Sequence, residues 1–155
     1  MSDTPRDLPA LPVTFRPGLT RAVLTVLAAV TFVTIAAVGM LLDGLGLGER
    51  LSFVLTALVL AGVLLLLARP RVVADEAGVT VVNLTNKRRL AWPEILRVNL
   101  RHGDPWVFLD LSDGTSLPAL GIQPGIARQR AIDDARALRA LVEARSSAAP
   151  EAPRG

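Results

Sequence analysis

The chain has 155 residues, 51% hydrophobic and 20% charged, a length that fits one ordinary domain. The apolar residues are clumped between positions 22 and 68, which excludes a wholly soluble globule and leaves the 85 residues from Arg71 onward for one small water-facing core. The net charge is +3 with every basic residue except Lys87 an arginine, and the segment from Arg71 onward sets 12 basic against 10 acidic residues, too balanced for a nucleic-acid binder; the absence of Cys excludes disulfides, thiolate catalysis and Cys-based zinc sites.

Residues 1–21 read as a partly disordered N-terminal tail ending in Arg16 and Arg21. Residues 22–42 carry no charge and would reach about 31 Å as a helix, the thickness of a hydrocarbon core. Residues 43–50 (DGLGLGER) are too few to hold a domain and form an external turn. A second uncharged run, 51–68, reaches about 27 Å, with Arg69 placed to snorkel. The expectation is a transmembrane helical hairpin. Arg16, Arg21, Arg69 and Arg71 flank the spans and set topology, against one Arg balanced by Asp43 and Glu49 in the turn. That bias puts both termini in the cytoplasm of a multi-pass inner-membrane protein. Neither span carries an ionisable residue, which argues against a transport pathway. Thr25, Ala29 and Ala36 on one span and Ala57, Ala61 and Gly62 on the other are small enough for close helix approach.

From Arg71 to position 145 the pattern changes to short strands broken by turns. Val72–Ala74, Val79–Asn83, Arg88–Ala91, Ile95–Arg101, Trp106–Leu111 and Thr115–Leu117 read as six strands. In the fourth, Leu96, Val98 and Leu100 alternate with Arg97, Asn99 and Arg101, a half-buried pattern. Asp113-Gly114 marks a hairpin. One amphipathic helix follows, about Ile126–Arg145, with Ala131, Ala135, Leu138 and Val142 on one face. Residues 146–155 read as a disordered tail. The expected fold class is a membrane α-helical hairpin plus an α+β domain, a bent antiparallel sheet or partial barrel capped by the C-terminal helix.

The segments Asp75–Val81 (DEAGVTV) and Leu90–Ile95 (LAWPEI), the strand pair around Asp113-Gly114, the LPAL after it and the terminal helix resemble the bacterial PH-like domain. With a two-span hairpin directly before it, the chain is similar to the low molecular weight protein antigen 6 family of small bacterial membrane proteins. The resemblance implies fold and membrane location and supplies no catalytic signature.

Two clusters stand out as candidate sites. Lys87, Arg88 and Arg89 are the basic triplet, placed to meet anionic lipid headgroups, each such charge contributing about 1 kcal/mol near a membrane surface. Trp92, Glu94 and Ile95 form a candidate docking element for a protein partner, against the favoured structural reading in which Pro93 starts a short turn, Trp92 packs on the sheet and Glu94 caps or pairs locally. His102 has no second His to share a metal, and Asp133 and Asp134 point about 100° apart on a helix, so neither makes a catalytic centre. No catalytic, cofactor or metal residues are expected. The sequence therefore reads as a non-enzymatic binding or scaffold module. Its partners would be the bilayer, a membrane-associated protein and anionic headgroups, with no nucleic acid. The alternative is a non-catalytic subunit of a membrane enzyme or transporter complex whose active centre lies in a partner chain.

Overall fold

The structure is a computed structural model that describes residues 8–147. Of the tails expected at 1–21 and 146–155, residues 1–7 and 148–155 lie outside the described residues, whereas Ser146 and Ser147 belong to the C-terminal helix. The chain divides into two compact units: the helical hairpin, 18–69, and a sheet-and-helix unit formed by the segments on either side of it.

The hairpin consists of α1 (Gly18–Leu41) and α2 (Leu47–Leu67), both longer at their N-terminal ends than the apolar runs indicate. Their buried residues are the small ones, Ala28 and Gly39 on α1 and Ala57 and Ala61 on α2. A Cβ on Gly39 would lie 2.5 Å from the Phe53 Cβ, so only glycine admits this approach. Close backbone contact of this kind is how apolar helices associate when no water drives them together. Thr25 and Ala29 are exposed, Thr25 bonds back to the Arg21 carbonyl of its own helix, and Gly62 faces open space. Of the small residues expected at the seam, Ala57 and Ala61 occupy it. The turn charges serve helix ends. The Glu49 carboxylate accepts from the Gly46 amide at 2.8 Å. The Arg50 guanidinium donates to the Met40 carbonyl at 3.2 Å, satisfying a carbonyl in the last turn of α1.

The second unit contains two antiparallel sheets. The first has the order β1-β2-β3-β4, from β1 (Val13–Phe15), β2 (Arg71–Asp75), β3 (Gly78–Val82) and β4 (Lys87–Ala91). The second has the order β5-β6-β7, from β5 (Ile95–Asn99), β6 (Val107–Leu111) and β7 (Ser116–Ala119). A 3-10 turn, Trp92–Glu94, joins them. The C-terminal helix α3 (Arg128–Ser147) packs on β5 and on that turn. One core collects Val72, Val79, Leu90, Ile95, Leu109, Ile122 and Leu138, all essentially fully buried. Leu141 joins the expected helix stripe of Ala131, Ala135, Leu138 and Val142. The segment after β7 passes close to β2, where a Cβ on Gly121 would lie 2.6 Å from the Arg71 Cα, a contact that no larger residue permits without displacement of backbone.

Two features differ from the sequence reading. Residues expected in a tail form β1, which pairs with β2 through Val13↔Ala74, Thr14↔Val73 and Phe15↔Val72. Phe15 is 5% exposed, part of the core. The sheet-and-helix unit is therefore discontinuous in sequence, with the whole hairpin inserted between two paired strands. The second difference is a register shift between Ile95 and Arg97. This bulge breaks the expected alternation: Ile95 and Val98 point into the core, and Leu96 is left 61% exposed.

Candidate functional site

The register of the first sheet decides which basic residues share an end. Phe15 stands opposite Val72, Arg71 opposite Val82 and Val82 opposite Lys87. The chain thus leaves toward α1 and returns from α2 at the sheet end that carries Arg16, Arg71, Lys87 and the turn at 83–86. The Asn83 side chain holds this turn. Its Nδ2 donates to the Pro118 carbonyl at 2.8 Å and its Oδ1 accepts from the Leu120 amide at 3.1 Å. A short polar residue is suited to the position because it satisfies backbone groups of β7 and of the segment after it.

The basic triplet does not act as one cluster. Lys87, Arg88 and Arg89 are all exposed, but they face different partners. Arg88 lies 3.5 Å from the Asp113 carboxylate in the β6–β7 turn. Hydrogen bonds from Thr115, with a further contribution from Arg88, hold the Asp113 carboxyl below its ordinary range. Arg89 pairs with Asp75 at 3.1 Å, at the opposite end of β2 from Arg71. Asp75 also accepts from the amides of Ala77 and Gly78, closing the β2–β3 turn. Lys87 has no partner among the described residues and remains with Arg16 and Arg71 at the hairpin end.

The candidate docking element is largely interior. Trp92 is 5% exposed and Ile95 is 1% exposed. The Trp92 indole donates to the carbonyls of Asp75 and Glu76 at 3.2 and 3.3 Å, as a buried indole requires. The Glu94 carboxylate accepts from the Ala91 amide at 2.6 Å, capping the 3-10 turn, and its backbone carbonyl accepts from Ser112 at 2.9 Å. Of the three residues, only Glu94 is at the surface, and its carboxylate is engaged locally.

A feature that sequence reasoning missed lies between β5, the turn after it and α3. Arg139 donates twice to the Val98 carbonyl, at 3.2 and 2.8 Å, covering the open edge of β5. The Arg128 guanidinium donates to His102 Nδ1 at 2.7 Å. These contacts join residues 26 and 41 positions apart, beyond the reach of any local motif. Among the described residues there is no group of three or more His, Cys, Asp or Glu able to hold a metal ion.

Comparison with known proteins places this geometry. Residues 69–141 match the family described as Bacterial PH domain, in keeping with two antiparallel sheets and a C-terminal helix. Uncharacterized proteins of Mycobacterium tuberculosis and Mycobacterium bovis are each 39% identical to this chain over 89 residues. That stretch covers 57% of this chain, and the chain spans about half, 53%, of the length of these relatives. No solved structure matches the chain. The matched region begins at Arg69 and so omits β1, although β1 completes the first sheet.

Proposed function

We propose that the protein is a membrane-anchored PH-like binding module, with the hairpin as its anchor and the sheet-and-helix unit as a cytoplasmic platform for a protein partner or the lipid surface. The observation that carries this reading is the pairing of β1 with β2 across the hairpin. Both ends of α1–α2 connect to neighbouring strands of one sheet, so they must lie on one side of any bilayer. The helices are long and apolar enough to cross a membrane. Their outward faces expose Val26, Val33, Met40, Leu55 and Val63, a surface that water does not support over such an area. The arginines at both ends of the hairpin favour the cytoplasmic side. The two-span arrangement before a PH-like domain is also what the resemblance to the low molecular weight protein antigen 6 family implies. On this reading Arg16, Arg71 and Lys87 face anionic headgroups, because they share the sheet end from which the hairpin departs.

Two measurements test it. A periplasm-active reporter inserted near Gly46 gives signal and the same reporter after Gly155 gives none; the reverse pattern overturns the orientation. In nanodiscs with a paramagnetic headgroup, the amides of residues 83–87 broaden more than those of Ala77 and Gly78 at the opposite sheet end. Equal broadening contradicts the proposed approach of the basic end to the bilayer.

A further inference from the structure

A cavity of about 490 Å³ opens between the β5–β6 turn and the first half of α3, a size typical of small-ligand sites. Arg101, His102, Arg128, Arg136 and Arg139 line it, against one carboxylate, Asp104. Their present partners separate their roles. Arg139 is committed to the Val98 carbonyl. Arg136 faces Asp133 at 3.6 Å. The Asp104 carboxylate accepts from the Arg101 backbone amide at 2.9 Å, holding the turn itself. The Arg101 guanidinium has no hydrogen-bond or ion-pair partner among the described residues. Arg128 spends one donor on His102, which fixes its guanidinium beside the cavity and leaves the rest of its fork open. The remaining wall is apolar, from Leu100, Pro124, Ile132 and Ala135. Arg101 and Arg128 are both exposed, so a ligand reaches their guanidinium groups from solvent, and charge-assisted hydrogen bonds to an anion are the strong kind.

We infer that this cavity binds a phosphate monoester through Arg101 and Arg128, with the ester's organic group against the apolar wall. A carboxylate offers one charge and two oxygens, which one guanidinium fork satisfies. A phosphate monoester carries about −1.5 to −2 at neutral pH and three acceptor oxygens. It can therefore engage two forks and balance two cations together. The inference uses residues of the sheet-and-helix unit alone and does not depend on the proposed anchoring. None of these residues belongs to the basic triplet.

The test is calorimetric titration of the full chain, in phosphatidylcholine nanodiscs at fixed ionic strength, with phenyl phosphate. Saturable binding is expected, with benzoate at least about tenfold weaker. Arg101→Gln and Arg128→Gln each weaken phenyl phosphate about tenfold, the consequence of one lost charged hydrogen bond. Arg101→Lys retains part of the affinity, and Arg88→Gln leaves it unchanged. A second series in discs containing phosphatidic acid separates the two sources of the ester. A fall in apparent affinity for phenyl phosphate that Arg101→Gln abolishes assigns the ligand to a lipid headgroup. Unchanged affinity assigns it to a soluble ester. The inference is overturned if phenyl phosphate shows no saturable binding in neutral discs. It is equally overturned if the double variant of Arg101 and Arg128 to Gln binds as the parent does, or if Arg88→Gln removes binding.

Discussion

The two units of the chain bury opposite kinds of residue. In the hairpin the buried positions are Ala28, Gly39, Ala57 and Ala61, and large apolar side chains such as Val26, Val33, Leu55 and Leu58 are exposed. In the sheet-and-helix unit the large side chains are inside: Leu90, Ile95, Leu109, Ile122 and Leu138 are essentially fully buried. The first pattern suits helices whose surroundings are themselves apolar, where close packing of small residues replaces the hydrophobic drive. The second is the pattern of a core formed in water. The same residue type, leucine, thus does opposite work in one chain, and substitutions of it should read out the difference.

The largest contrast is expected at Leu138. Leu138→Asp places a carboxylate without a partner in the core and takes up most of a domain stability of about 5–15 kcal/mol. Leu138→Ala costs about 2–5 kcal/mol. On the proposed anchoring, Leu60→Ala, exposed on α2, changes insertion free energy by only about 0.5 kcal/mol. Urea unfolding of the full chain in detergent, followed by tryptophan fluorescence, distinguishes these. Equal costs for the two alanine variants would remove the contrast. Phe15→Ala comes next, at about 3 kcal/mol, because it empties a core position supplied from before the hairpin. A fragment of residues 71–147 should lose stability for the same reason, and unfolding at the urea midpoint of the intact chain would contradict it.

Within the hairpin, Gly39→Val meets Phe53 and costs about 1–3 kcal/mol of helix association. Gly62→Ala, with open space around it, is neutral or favourable by up to about 1 kcal/mol. Thermal melting of far-UV circular dichroism in detergent checks both. The smallest effect is at Asp134, whose carboxyl burial pushes above its ordinary range, with Arg130 opposing the shift and Asp133 adding to it. A raised carboxyl in the folded state holds its proton more tightly than in the unfolded chain. Stability then falls as pH rises from the unfolded value, about 3.9, through the folded one. Asp134→Asn should stabilise at neutral pH by about 0.5 kcal/mol or less, since the site is half exposed. The difference should vanish in acid below the ordinary carboxylate range. A constant difference at all pH values would refute this origin.

The architecture was legible in sequence where its signals are local. Continuous apolar runs, turn residues such as Asp113-Gly114 and the 3.6-residue spacing of Ala131, Ala135, Leu138 and Val142 each speak within a few positions. What escaped depends on distant partners. Val13–Phe15 is three residues between prolines, too short for an alternation, and its partner strand lies beyond the entire hairpin. The bulge after Ile95 turns Leu96 outward although its neighbours alternate as a regular strand does. Trp92 suggests a docking surface by composition, but the carbonyls of Asp75 and Glu76 that hold it inside are 17 and 16 residues upstream. The arginines around the cavity are dispersed from Arg101 to Arg139, and only the docking of α3 on β5 gathers them.

The central claim is that one sheet closes across the hairpin, and the chain's own composition allows a direct measurement. It has no Cys, and Met40 is the one methionine beyond the first residue. Thr14 and Val73 are register partners, a spacing that a disulfide between paired strands can bridge. Thr14→Cys combined with Val73→Cys, oxidised in membranes, should cross-link within one chain. After cyanogen bromide cleavage at Met40, the account predicts that the two fragments, 2–40 and 41–155, stay joined until a reductant is added. Fragments that separate without reductant, despite full thiol oxidation in a control pair at Thr80 and Arg89, would contradict the pairing of β1 with β2 and the discontinuous sheet-and-helix unit built on it.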